Sequence, residues 1–326
     1  MAKTLKTIVI GTSLTDVSDG VVRTGASIAR ATGASPWLIH VYAPPVYAPE
    51  LGNLDPEWPE QQAGILREKL AQQARRTALA DLAGFKPDRL LPVMGSPLRE
   101  VVDVARRVAA DLIVVGAAEG GALRRMLLGS TADAVIRKAP CPVLVVRSES
   151  AFPPCRVEVP VDLSPVSASA FHQGLELLSQ LGAALTETEV LFVLNPFEVG
   201  GSGQFTPAQI ERFASEELQR FIAANNPGTL PGLTQVRIGY VREEILNVLK
   251  ERQADLAILG THGRSGLERL TVGSVAFGVM HQAGCNLLLI PPGAIPERKA
   301  TVREKELRGA DWTYVSDEDE VLTSVS

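Results

Sequence analysis

Long apolar runs are missing from this sequence. No stretch approaches the roughly 18 consecutive apolar residues of a membrane-spanning helix, so we expect neither a membrane span nor a membrane partner. The first apolar run, Thr7 to Ile10, is too short for a signal-peptide core. Cysteine is scarce, with three residues in 326, and this odd number argues against a disulfide framework and for a reducing compartment. These absences favour a cytoplasmic protein.

An excess of positive charge is missing as well. Lys and Arg number 32 against 37 Asp and Glu, a net charge of −5, whereas proteins that coat nucleic acid are normally basic. We therefore predict no nucleic-acid partner. The excess negative charge lies after residue 310, where Lys and Arg are absent and five acids occur: Asp311, Asp317, Glu318, Asp319 and Glu320. Residues 296–326 are predicted to be a charged, disordered extension.

The familiar catalytic motifs are absent. The sequence contains no Walker A loop, no Gly-x-Ser-x-Gly elbow and no His-Glu-x-x-His pair. Its four histidines show no metal-ligand spacing. We therefore predict no catalytic residue and no metal site.

The chain repeats itself. Three pairs of segments match: 111–116 with 255–260 and 129–130 with 273–274, each 144 residues apart, and 15–18 with 164–167, 149 apart. A spacing that changes so little indicates two copies of one domain in tandem. The first copy is placed at residues 1–150 and the second at 151–295.

Each copy alternates short Val-, Ile- and Leu-rich runs with Ala-, Arg- and Glu-rich segments of helical period. This alternation predicts an α/β fold, with a doubly wound, Rossmann-like parallel sheet in each copy. The predicted strands are 6–11, 36–42, 89–94, 111–116 and 142–147, then 156–161, 187–194, 233–238, 255–260 and 286–290. The predicted helices are 17–32, 61–83, 97–109 and 131–139, then 166–181, 207–224, 241–253 and 274–283.

A glycine-rich loop follows the fourth strand of the second copy, from Gly260 to Gly273. Glycines let a ligand approach the backbone closely. A helix is predicted to open at Ser274, with Ser274 as its N-cap, and free N–H groups at a helix start favour an anion. Arg264 adds a cation, so the loop suits a phosphate chain. The alternative is that these glycines only form tight turns.

Asp162 ends the first strand of the second copy, in the run Pro160-Val161-Asp162. Ligands of open α/β sheets bind outside the carboxyl ends of the strands, at the point where strand order reverses. There Asp162 would accept a hydrogen bond from a hydroxyl or amine. The alternative is that Asp162 caps the following helix.

The two motifs together resemble those of universal stress proteins, and the resemblance covers residues 1–292. The loop, Gly260-x-x-Gly263, nine residues, Gly273-Ser274, is similar to the family's nucleotide loop. The resemblance implies ATP, with or without Mg, bound mainly in the second copy. It places Asp162 and Val193 at the adenosine end and Gly263, Arg264, Gly273 and Ser274 at the phosphates. Pro160, Val161, Gly260, His262 and Val275 occupy matching positions beside them.

The first copy departs from this pattern. Ser13 stands opposite Asp162, and Glu119 stands opposite Gly263. A carboxylate near phosphate, at a position that suits glycine, should weaken binding by about a hundredfold or more. Family members commonly pair through their last strands, so the two copies are expected to pair edge to edge as an intrachain pseudo-dimer. A further homodimer of tandem chains stays open.

The resemblance implies an ATP-binding stress-response protein that acts as a nucleotide-dependent sensor or regulator, with a protein partner that the sequence does not identify. Two alternatives stay open. One is a slow ATPase or phosphoryl-transfer protein, and the other is a scaffold that binds no nucleotide.

Overall fold

Strands and helices alternate along the described chain. The computed structural model describes residues 4–43, 57–117, 130–147, 152–181, 187–195, 206–226, 232–261 and 272–292. The strands are β1 (Thr7–Gly11), β2 (Ser35–Tyr42), β3 (Leu90–Met94), β4 (Leu112–Gly116), β5 (Val143–Val146), β6 (Val157–Val161), β7 (Thr188–Leu194), β8 (Leu233–Ile238), β9 (Leu256–Gly260) and β10 (Asn286–Ile290). The α-helices are α1 (Asp19–Thr32), α2 (Trp58–Arg76), α3 (Pro97–Arg107), α4 (Ser130–Lys138), α5 (Pro165–Gln180), α6 (Pro207–Asn225), α7 (Val241–Glu251) and α8 (Ser274–Gln282). None of the helices in these ranges is both long and apolar enough to cross a membrane.

One predicted helix ends early. The helical period predicts a helix over 61–83, whereas α2 ends at Arg76. The Thr77 hydroxyl donates to the Gln73 carbonyl at 2.7 Å, and Ala78 has a φ of 56°. Because a left-handed residue does not continue a right-handed helix, the chain turns there. Leu79 then lies fully buried in the core instead of extending the helix.

All ten strands form one sheet in the order β3-β2-β1-β4-β5-β10-β9-β6-β7-β8. Neighbouring strands are parallel except β5 and β10, which run antiparallel with Leu144 opposite Leu288. The last strands of the two copies therefore meet within one chain. The predicted α/β fold and intrachain pseudo-dimer are confirmed.

An apolar core covers each face of the sheet and continues from one copy into the other. One core includes Ile28 of α1 and Phe171 of α5. The opposite core includes Val135 of α4 and Val248 of α7. Strands buried on both faces must be apolar almost throughout, as β5 and β10 are.

The copies also share unusual backbone conformations. Leu14 and Leu163, 149 residues apart, have φ values of 63° and 60°. Ala109 and Gln253, 144 residues apart, have φ values of 50° and 49°. Residues other than glycine seldom adopt positive φ, so these pairs fix which residue of one copy corresponds to which residue of the other. The predicted boundaries near 150 and 295 and the extension 296–326 lie outside the described residues and stay predictions.

Candidate functional site

The second copy opens between its two central strands. β6 and β9 pair only over the first two residues of each strand, although β6 continues to Val161 and β9 to Gly260. Pro160 lies in the part of β6 that does not pair with β9, and it has no N–H to donate to a neighbouring strand. The chain leaves β6 toward β7 on one side, while β9 lies on the other. The gap is therefore the topological switch point of this copy, where open α/β sheets bind ligands.

Asp162 lies at the mouth of this gap, directly after β6. Its Oδ1 accepts the N–H of Ser164 at 2.9 Å, and its own N–H donates to the Ser167 hydroxyl at 3.2 Å. Ser164 is the N-cap of α5, and its hydroxyl accepts the Ser167 N–H at 3.1 Å. Ser164 thus takes the capping role that was the alternative for Asp162, while Asp162 shapes the turn that precedes the helix.

The residues predicted at the adenosine end lie on neighbouring strands. Val161 of β6 is in register with Phe192 of β7. Asp162 and Val193 therefore each come one step further toward the carboxyl edge of the sheet. Val193 is 8% exposed, so its side chain packs in the core and its backbone belongs to the strand end.

The other side of the gap is formed where the chain leaves β9 and returns to α8. Gly260 ends β9, and the next residue, Thr261, is 1% exposed. The Thr261 N–H donates to the Ile290 carbonyl at 3.1 Å, and its carbonyl accepts the Gly273 N–H at 2.9 Å. This second bond holds the start of α8 beside the end of β9. His262, Gly263 and Arg264 lie outside the described residues.

The N-cap of α8 is Gly273, and the prediction of Ser274 was wrong. The helix starts at Ser274 as predicted, but the Gly273 carbonyl accepts its first bond, from the Phe277 N–H at 2.8 Å. Ser274 is therefore already helical, one position too late for its hydroxyl to act as the N-cap. Gly273 has no side chain that could accept a hydrogen bond from this first turn. Its N–H groups, which include that of Val275, form an end of positive potential.

Ser13 of the first copy stands where the second copy has Asp162. The left-handed residues that follow each of them, Leu14 and Leu163, confirm this correspondence. The Ser13 hydroxyl lies 2.9 Å from the Thr15 hydroxyl. The first copy therefore has a hydroxyl, and no carboxylate, at the position of Asp162.

A hydrogen-bonded network lies at the same end of the first copy. The Thr12 hydroxyl lies 2.8 Å from the Ser18 hydroxyl and donates to Gln73 Oε1 at 2.8 Å. Gln73 Nε2 donates to Asp19 Oδ1 at 2.7 Å, and Arg76 donates to both carboxylate oxygens of Asp19 at 2.7 and 2.8 Å. The first copy thus ties its strand end to α1 and α2.

Sequence reasoning missed this network. Asp19 and Arg76 lie 57 residues apart, so no local spacing connects them. The available signal is Gln73, a fully buried polar residue that shares the apolar face of α2 with Leu66 and Leu70. A polar side chain at an apolar helix position needs a buried partner.

The protein consists of two doubly wound α/β units that share one sheet through their last strands, and the second unit opens at its switch point. These features define its class. The family model described as the universal stress protein family matches residues 4–147 and again residues 156–291. The chain belongs to the universal stress protein family.

Its relatives include proteins with both copies and proteins about the length of one. A universal stress protein of Mycobacterium tuberculosis is 27% identical over 290 residues, covering 85% of this chain and 94% of its own. One of Methanocaldococcus jannaschii is 35% identical over 145 residues, covering 44% of this chain and 82% of its own. The solved structure of a universal stress protein from Archaeoglobus fulgidus has a TM-score of 0.55 at 15% identity, covering 88% of this chain and 98% of its own. That likeness concerns the fold.

Proposed function

We propose that the second copy binds ATP and that the protein acts as a nucleotide-dependent sensor or regulator in a stress response. The observation that carries this proposal is the opening between β6 and β9. The Asp162 carboxylate lies on one side of it, and the first turn of α8, whose N-cap Gly273 has no side chain, lies on the other. One side suits hydroxyl and amine donors, and the other suits an anion.

The adenosine would lie against the ends of β6 and β7. A carboxylate accepts hydrogen bonds only, so Asp162 suits the hydroxyl and amine groups of a nucleoside. Pro160, Val161 and Val193 form the strand ends next to it, and Val193 is proposed to contact adenine through its backbone. The first copy offers Ser13 instead, which is the basis for placing the nucleotide mainly in the second copy.

The phosphates would lie at the start of α8. The N–H groups of a helix start, aligned with the helix dipole, bind phosphate groups. Gly273, Ser274 and Val275 supply this end, and Gly260 ends the strand beside it. From the sequence we add His262, Gly263 and Arg264. ATP, with or without Mg, would be the polyanionic ligand of this site. Its presence there would report the energy state of the cell.

A sensor needs retention of the nucleotide more than turnover. The proposed contacts bind and orient ATP, and we assign no catalytic residue among them. The sensor would act in the cytoplasm, through a protein partner that recognises the ATP-bound form. Slow hydrolysis or phosphoryl transfer, and a scaffold without nucleotide, are the outcomes against which the proposal is tested.

Replacing Asp162 tests the site directly. We expect calorimetric titration of nucleotide-free protein with ATP to show one tight site per chain. Asp162→Asn keeps an oxygen for the Ser164 N–H but loses the charge, so the affinity should fall by about tenfold to a hundredfold. Chromatography of the nucleotide after incubation measures turnover in the same samples.

The matched control is Ser13→Ala in the first copy, which should leave the affinity unchanged. Two equal sites per chain would contradict the assignment to the second copy. Stoichiometric release of ADP with repeated turnover would support the enzyme. No binding by the wild-type protein would support the scaffold.

A further inference from the structure

Helix α8 of the second copy is held at two points by residues of the first copy. Arg147, one residue beyond β5, donates from Nη2 to the Met280 carbonyl in the last turn of α8. The Arg147 N–H also donates to Asn286 Oδ1 at 2.8 Å. Further up the helix, the guanidinium of Arg137 from α4 lies 5.6 Å from the centre of the Phe277 ring. Both contacts cross from one copy to the other.

The Arg147 contact has a clear physical basis. The last carbonyl groups of a helix have no partner within the helix, and a cation there also complements the negative end of the dipole. Arg147 is half-buried at this place, and burial lowers the pKa of its guanidinium from the usual value, although an arginine of this kind stays charged. A charged donor held in a partly buried setting forms a strong, directional contact.

The Arg147 contact has no counterpart in the other direction. At the repeat spacing of 144 residues, Arg137 corresponds to His281 and Arg147 to Pro291. Proline has no side-chain donor, so the second copy cannot return the Arg147 contact. The two cations therefore come from the copy that lacks the aspartate, and they hold the helix of the copy that carries it.

We infer that Arg147 is a positioning residue for the phosphate end of the proposed ATP site. This inference rests on the proposed function. α8 has nine residues, so its two ends are only about 13 Å apart. A tilt of about 5° at the Met280 end would move the first turn by about 1 Å, and displacements of that size weaken a fixed binding geometry. The first copy thus contributes to nucleotide binding without contacting the nucleotide.

The test compares ATP with adenosine as probes, by calorimetry on the full chain. Arg147→Met removes the cation but keeps an apolar side chain of similar length. It should weaken ATP binding by about fivefold to thirtyfold and leave adenosine binding unchanged, because adenosine lies at β6 and β7. Arg147→Lys should restore most of the ATP affinity. Amide hydrogen exchange at residues 272–276 should become faster in Arg147→Met.

The matched control is Arg106→Met. Arg106 of α3 donates to the Lys138 carbonyl at the end of α4 at 3.3 Å, so it contacts a helix end within the first copy and does not cross between the copies. This variant should bind both probes like the wild-type protein. Arg137→Met is a second variant in case Arg147→Met does not fold, with an expected loss of about twofold to fivefold for ATP alone.

The outcomes separate the two proposals. A wild-type protein that binds ATP while the Arg147 and Arg137 variants bind it equally well would overturn the positioning role alone. An equal loss for ATP and adenosine would also overturn it, since a general loss of structure would then explain the effect. A wild-type protein that binds neither probe would overturn the proposed function and the positioning role together.

Discussion

The two copies share their backbone and differ in where they bury charge. The first copy buries Asp19 at the start of α1, at the carboxyl end of the sheet, and binds it to Arg76. The second copy buries Glu158 and Glu189 inside β6 and β7, nearer the amino end of the strands. Packing and turns have been kept between the copies, whereas the buried polar groups have diverged.

The buried cluster of the second copy is defined by Glu158, Glu189, Arg252 and Gln235. Arg252 lies 2.7 Å from Glu158 Oε2 and 3.3 Å from Glu189 Oε2. The Gln235 amide, oriented to satisfy its neighbours, donates to Glu189 Oε1 at 2.9 Å and accepts from Arg237. Glu158 Oε1 has no hydrogen-bond partner within the described residues. The corresponding positions of the first copy, Val9, Trp37 and Val108, carry no charge.

The largest change in the free energy of unfolding is expected for Glu158→Gln. Burial raises the pKa of Glu158 from its ordinary value of 4.5 to about 8, with the neighbouring Glu189 adding to the shift and Arg252 opposing it. The folded protein therefore holds this proton more tightly than the unfolded chain. The stability that Glu158 contributes should fall as pH rises from about 4.5 to about 8, by a few kcal/mol in order of magnitude.

Urea unfolding at about pH 5, 7 and 9 measures this difference. Glu158→Gln should be more stable than the wild-type protein at the highest pH and should show a flatter dependence. Glu243→Gln, at an exposed carboxylate of α7, the helix that ends just before Arg252, is the control and should follow the wild-type curve. Parallel curves for Glu158→Gln and the wild-type protein would mean that the cluster does not set the pH response.

The sequence predicts what depends on local pattern and misses what depends on distant partners. The strands follow from apolar runs, and the β5–β10 junction follows from the resemblance to universal stress proteins together with the exposed edges of the last strands. The position of Asp162 directly after β6 follows from the end of an apolar run, while its contact with a ligand stays a prediction. The partner of Glu158, Arg252, lies 94 residues further along, so no spacing in the sequence connects the two. The cap of α8 was misplaced by one residue, because a Gly-Ser pair offers two candidate caps and backbone geometry decides between them.

A smaller change in the free energy of unfolding is expected at two glycines, one in each copy, where a helix packs closely on the sheet. The change should be the same in both copies. Gly25 of α1 and Gly174 of α5 are 149 residues apart, and each helix packs against the sheet at its glycine. A Cβ at Gly25 would lie 2.4 Å from Ile10 Cδ1, and one at Gly174 would lie 2.5 Å from Ile258 Cγ2. Alanine at either position should lower the free energy of unfolding by about 1–2 kcal/mol, after the gain in helix propensity.

Gly64 of α2 is the control for these substitutions. A Cβ there would meet nothing within 4 Å, so Gly64→Ala should stabilise the protein by about 0.5–1 kcal/mol. Thermal unfolding of the three variants gives the comparison. A neutral result at Gly25 or Gly174 alone would show that the two copies do not share this close approach.

The smallest change in the free energy of unfolding is expected for Asp19→Asn. Its pH dependence should be opposite to that of Glu158. Burial raises the pKa of Asp19, but hydrogen bonds from Arg76 and Gln73 lower it more, so the net shift is downward from 3.8. Its stabilisation is present above that value and is lost as pH falls through the folded-state pKa. Because the Arg76 side chain is 40% exposed, solvent weakens the pair, and the substitution should cost only about 1 kcal/mol near neutral pH.

Urea unfolding should show this difference shrinking toward about pH 3, while the Glu158 effect is confined to higher pH. If Asp19→Asn lost as much stability in acid as at neutral pH, the cause would be packing, and the contrast between the buried carboxylates of the two copies would fail.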